Sequence, residues 1–152
     1  MENPLRSVEL FKGLDALQLA HLSSISQEVT LKKNQSLFLE GDAPEFFYVI
    51  VKGRIRISKQ IPGFGEEALA ILEPGSYFGE MEIIEATPRA AQAVAHEAAV
   101  LRAIRIADLH DAMSSDRELA VALLWSFTRT LSHRLRATND KVMATFAMAQ
   151  FG

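Results

Sequence analysis

Between residues 8 and 25 the apolar positions Val8, Phe11, Leu14, Leu17, Leu19, Leu22 and Ile25 fall mostly three or four apart, the spacing of one helix face. Gly13 interrupts the run, so the pattern predicts two short helices joined by a turn. From Val29 the period changes. Short β-rich runs occupy residues 29–31, 36–39, 46–51, 54–59 and 68–72, punctuated by Gly41-Asp42, Lys52-Gly53, Pro62-Gly63 and Pro74-Gly75. Within 54–59, Ile55 and Ile57 alternate with Arg54, Arg56 and Ser58, which predicts a strand with one buried and one solvent face. Residues 91–95 and 100–106 add two further strands. Many short strands with glycine turns predict a closed or rolled β structure, an architecture that manages exposed strand edges.

The last third is helical. Residues 108–113 form a short helix, Ser114 or Ser115 is positioned to cap the next one, and Asp116 and Glu118 suit its positive N-terminal end. A long helix then extends to about Ala149. Leu124, Thr128, Leu131, Leu135, Thr138, Val142 and Thr145 recur four and three apart along it, the seam of a coiled coil and hence of a homodimer. The other reading of the same stripe is a helix packed on its own barrel. Trp125, Phe127 and Phe146 read as packing residues, with Phe146 also available to cover a ligand; Met143 and Met148 read as core or interface filler.

A chain of 152 residues suits a single domain, with N-terminal helices over 1–27, the β-roll over 28–106 and C-terminal helices over 107–152. At this length roughly 70% of the unfolded surface can be buried. The net charge of −3 argues against a broad nucleic-acid footprint, so direct DNA contact is not expected. The absence of cysteine excludes disulfides, thiolate catalysis and cysteine-ligated zinc, and is compatible with a cytoplasmic setting. No secretory leader and no stretch of about 18 apolar residues is present, so no membrane span is expected. His21, His96, His110 and His133 are scattered without metal-ligand spacing and read as surface or boundary residues. No nucleophile elbow, P-loop, dinucleotide fingerprint or zinc-protease motif occurs, and catalysis is not expected.

The chemistry concentrates in residues 78–91, F-G-E-M-E-I-I-E-A-T-P-R-A-A. Gly79 permits a tight bend, and residues 80–86 can then form one or two helical turns whose free N–H groups face an anion. Pro88 stops the helix. Arg89, always charged and fork-shaped, suits a phosphate, while Glu80 beside it suits a sugar hydroxyl donor.

This segment resembles the phosphate-binding cassette of the cyclic-nucleotide-binding domain family, found in the bacterial cyclic AMP receptor protein and in kinase and channel regulatory subunits. E-G-D at 40–42, F-Y-V-I-V-K-G-R-I-R-I at 47–57 and L-E-P-G-S-Y-F-G-E at 72–80 follow the family's order and spacing, so the resemblance covers nearly the whole chain. It implies an α+β fold: a jelly-roll-like β-roll with short N-terminal helices, a short cassette helix and a long C-terminal dimerisation helix. It also implies a cyclic-nucleotide site at Gly79, Glu80, Met81, Glu82, Arg89, Ala90 and Ala91. Ala90 stands where cyclic GMP-preferring relatives carry threonine, so cyclic AMP is the implied ligand ahead of cyclic GMP, with no further cofactor and no metal.

The stretch R-L-R-A-T-N-D-K-V at 134–142 resembles the dimerisation helix of the cyclic AMP receptor protein. On that likeness Thr138 and Asn139 contact the adenine across the dimer, and Arg134 pairs with Glu80; a polar register pin in a coiled coil is the ligand-free reading of the same two residues. Glu82 departs from the family pattern, which has a small residue there. Its carboxylate either faces solvent, pairs with Arg89 or repels the phosphate, and the last two weaken binding. The family's transcription regulators continue into a helix-turn-helix, whereas few residues follow Phe146: the chain is read either as a stand-alone sensor acting through an unidentified protein effector, the reading its Met1 favours, or as the sensor part of something longer. The other function class is a protein-interaction or scaffold module of the same fold that has lost nucleotide binding.

Overall fold

The computed structural model describes residues 2–151. A 3-10 turn at Glu9–Phe11 and helix α1 (Ala16–Ser24) open the chain, either side of Gly13. α1 starts at a reciprocal cap: Asp15 accepts from the Gln18 amide at 2.8 Å while the Gln18 side chain accepts from the Asp15 amide at 3.0 Å. Leu17, placed among the apolar helix positions by spacing, is 83% exposed, because the face that packs inward carries Leu19 and Leu22.

Eight strands follow: β1 (Ser26–Leu31), β2 (Ser36–Phe38), β3 (Phe46–Lys52), β4 (Ile55–Ile61), β5 (Gly65–Leu72), β6 (Tyr77–Phe78), β7 (Gln92–Ala95) and β8 (Ala99–Arg105). They form two four-stranded antiparallel sheets, ordered β1-β8-β3-β6 and β2-β7-β4-β5. This is the α+β β-roll that the sequence pattern and its family resemblance imply, with a one-turn helix α2 (Met81–Ile84) set between β6 and β7.

The continuous apolar run of β3 has a direct cause. Successive side chains point to opposite faces, and both faces are covered. Phe47 and Val49 enter a core shared with α1, α3 (Ile106–Ser115) and the first part of α4 (Arg117–Phe151). Tyr48 and Ile50 enter the interior of the roll with Ile55, Phe78, Ala93, Ala95 and Leu101. Phe127 stands edge to face on Phe47 and Tyr77, which are tilted to each other, and the three rings close the first core with centroids 5.6 to 6.0 Å apart.

Two local expectations are corrected. Ser58, placed by alternation on the solvent face with Arg54 and Arg56, is fully buried and accepts a hydrogen bond from Gln92 Nε2 at 2.9 Å. β4 runs in unbroken register with β7 through Ser58–Gln92, and the extra residue of the β4–β5 shift is Leu69 on β5, so Ser58 keeps its place in the alternation and is buried by its cross-strand neighbours. The cap of α4 is Asp116, whose Oδ1 accepts from the Leu119 amide at 3.1 Å; Ser115 instead donates to the Ala112 carbonyl within α3.

α4 is 35 residues long. Its first part is anchored by Leu119, Leu123 and Phe127, all buried; from His133 onward every described residue except Arg134 is exposed. Trp125 and Phe146, read as packing residues, are 61% and 63% exposed, and Phe127 alone of the three is in the core. No helix among the described residues is long and apolar enough to cross a membrane.

Candidate functional site

The segment 78–91 folds around Gly79. Its φ of +86° is a left-handed value, and a Cβ there would sit 2.8 Å from Arg89 Nη1 and 3.3 Å from the Phe46 carbonyl oxygen. Glycine is thus required twice, for backbone conformation and for room. α2 follows at once, anchored by buried Ile83, while Met81 and Ile84 remain half exposed. His110 Nε2 on α3 lies 3.0 Å from the Ile83 carbonyl and ties the short helix to the helical layer.

The E-G-D turn holds the other end of the segment. The Arg89 amide donates to the Asp42 carbonyl at 2.9 Å and the Gly41 amide donates to the Arg89 carbonyl at 2.8 Å. The Arg89 side chain is therefore launched inward from a fixed backbone. It is 3% exposed: Nη2 donates to the Phe46 carbonyl, Nη1 to Glu82 Oε2 at 3.3 Å, and the guanidinium lies 4.2 Å from the Phe38 ring centroid. Of the three dispositions open to Glu82 in the sequence, the structure adopts the pair with Arg89, buried and away from solvent.

Glu80 is 2% exposed and its carboxylate pairs with Arg134 from α4, which also donates to the Tyr77 carbonyl at 3.3 Å. Desolvation pushes the Glu80 carboxyl above its ordinary value, Arg134 pulls it back, and the neighbouring Glu82 adds to the rise. The two opposing causes fit the geometry. Arg134 is 41% exposed, so water screens its charge while Glu80 pays the full cost of burial.

These residues border a cleft of about 400 Å³, within the size range of small-ligand sites. Gly79, Glu80, Met81, Glu82, Ala90, Ala91 and Thr138 all line it. Arg89 does not; the buried Glu82 carboxylate with which it pairs does. Asn139, next to Thr138, is exposed and lines none of it, and Phe146 lies farther along α4 over a separate shallow groove. The apolar wall was missed from the sequence: Phe38, Ile57, Leu69 and Leu72 come from β2, β4 and β5. Their only signal was membership of predicted strands. Lys141, also on the wall, lies in the family-like stretch 134–142 one helical turn after Thr138 but was given no role from the sequence. Among the described residues no group of His, Cys, Asp and Glu has metal-site geometry.

The arrangement offers an acid, an arginine behind a second acid, one turn of backbone amides and an apolar wall, enough to hold a compact ligand carrying an anionic group, hydroxyls and a flat apolar part. Comparison with known proteins gives the same frame. The model of the cyclic nucleotide-binding domain matches residues 28–116. A CRP-like cAMP-activated global transcriptional regulator of Mycobacterium tuberculosis is 30% identical over 147 residues, covering 93% of this chain and 62% of that protein. The chain thus spans under two thirds of that curated relative. Among solved structures, the N-terminal domain of a transcriptional regulator from Streptomyces coelicolor is 34% identical with a TM-score of 0.74, covering 91% of this chain and 94% of that one. The regulatory domain of Toxoplasma gondii PKA, solved with cAMP, is 29% identical with a TM-score of 0.63, over 74% of this chain and 41% of that one. With the family model matched across the roll, cassette and α3, this chain belongs to the cyclic nucleotide-binding domain family.

Proposed function

We propose that the chain is a non-catalytic cyclic AMP sensor whose output is a ligand-dependent change in a dimer formed through α4. The observation that carries this reading is the cleft itself, where the cassette residues Gly79 to Glu82, Ala90 and Ala91 meet Thr138 of α4. In this reading the α2 amides and Arg89 take the cyclic phosphate, Glu80 takes a ribose hydroxyl, and Thr138 and Asn139 take the adenine, Asn139 from the second chain of the dimer. Glu80 is already tied to α4 through Arg134. A ribose hydroxyl that donates to Glu80 changes the partner set of that link. The ligand then shifts the helix only to the extent that it binds its two dispositions unequally. A protein effector reads the dimer geometry. Exposed Leu131, Leu135 and Val142 on the seam support a helix-mediated homodimer, and the cAMP-bound T. gondii relative supports the ligand class.

Calorimetric titration with cyclic AMP and cyclic GMP tests the reading. Saturable binding of cyclic AMP, one per chain, that is lost in Arg89→Ala is the expected result. A folded protein that takes neither nucleotide, with or without Glu82, overturns it. That outcome favours the second reading, an interaction module of the same fold, for which the specific observation is the buried Glu82–Arg89 pair that satisfies the phosphate arginine internally.

A further inference from the structure

Glu82 lines the cleft and Arg89 does not. The carboxylate lies 3.3 Å from Nη1 with both side chains buried, Nη2 is engaged by the Phe46 carbonyl, and the Phe38 ring covers one face of the guanidinium. An anion entering the cleft therefore meets a negative charge in front of the cation it needs, and part of the fork it would use is already taken. The second acid, Glu80, is likewise paired with Arg134. The cleft's acids and arginines thus neutralise one another in two pairs, and Lys141 is the lining charge with no ion-pair partner among the described residues.

We propose that Glu82 is a built-in competitor for Arg89, so that a cyclic phosphate binds only by displacing the Glu82 carboxylate from the guanidinium. Glu82 is then the residue that sets the concentration at which the site responds. The inference rests on the cyclic-nucleotide reading above and adds regulation of that site by the chain's own side chain. It has a definite sign. If Glu82 merely held Arg89 in place for the ligand, removing its charge would weaken binding; as a competitor, removing its charge strengthens it. Glutamine keeps the shape and removes the charge, which isolates the electrostatic part from packing.

The test is calorimetric titration of the wild-type chain, Glu82→Gln and Glu82→Ala with cyclic AMP, each checked for folding by circular dichroism, together with Arg89→Ala and the Glu82→Gln/Arg89→Ala pair. The competitor role predicts at least tenfold tighter binding in both Glu82 variants and no gain from Glu82→Gln once Arg89 is absent. Binding that appears only in the Glu82 variants is the limiting case of the same result. Affinity unchanged or lowered in the folded variants, with binding by the wild type, overturns the competitor role and leaves the nucleotide reading standing. No binding by the wild type or by either variant overturns both.

Discussion

Glu80 shows how burial and a neighbouring charge contend at one residue. Desolvation holds its carboxyl above the ordinary value of 4.5 even with Arg134 alongside, so the native state binds a proton more readily than the unfolded chain does. Stability from this group is present below pH 4.5 and is lost as pH rises through the window up to the raised native value. Glu80→Gln cannot titrate. Urea denaturation from pH 4 to pH 7 is expected to show the wild type losing stability relative to Glu80→Gln as pH rises; two parallel curves would contradict the assignment. The partnership with Arg134 was legible as a family likeness, 54 positions apart in sequence, and geometry places the two in contact. The Glu82–Arg89 pair was one of three dispositions open to the sequence. Only the direction of the buried side chains selects among them.

At the scale of elements, turns were read well because glycine and proline act locally. Gly53 between β3 and β4 illustrates what such a turn holds. It has φ of +76°, and a Cβ there would stand 2.2 Å from the Ala98 carbonyl oxygen, in the turn joining β7 to β8. That oxygen and Ala99 Cα, 2.8 Å away, are backbone atoms, which cannot rotate aside. Gly53→Ala is expected to cost about 2–4 kcal/mol, combining left-handed strain of about 1–2 kcal/mol with the displaced turn. Guanidinium denaturation measures it, and a change below about 0.5 kcal/mol, the range of ordinary surface substitutions, would refute the close packing. The β4–β5 bulge was the element-level surprise. The extra residue is Leu69 on β5, and nothing in A-L-A-I-L announces it, since the register belongs to the pair of strands.

For the whole molecule, the decisive feature is the exposed length of α4. A 35-residue helix extends about 52 Å at 1.5 Å per residue, far beyond the layer it packs on. Leu131, Leu135, Val142 and Phe146 are 38% to 63% exposed. A surface that apolar fits the helix-mediated dimer proposed above. Sedimentation equilibrium of the wild type is expected to give a dimer, and the Leu131→Asp/Leu135→Asp double variant a folded monomer, because those side chains touch no core of their own chain. A monomeric wild type at micromolar concentration would remove the dimer and with it the proposed route from ligand to output.

The sequence by itself determined what depends on neighbours in the chain: the change from helical to strand period, the positions of the turns, the glycine bend at 79 and the order of cassette residues. These properties are one-dimensional, since a helix face repeats every three or four residues and a strand face every two. Tertiary structure decided which of the acids faces which arginine, that Ser58 is buried, and that an apolar wall from β2, β4 and β5 completes the cleft. Those outcomes depend on how side chains from segments up to dozens of residues apart are directed, and on competition for the same buried space. No local pattern carries that information.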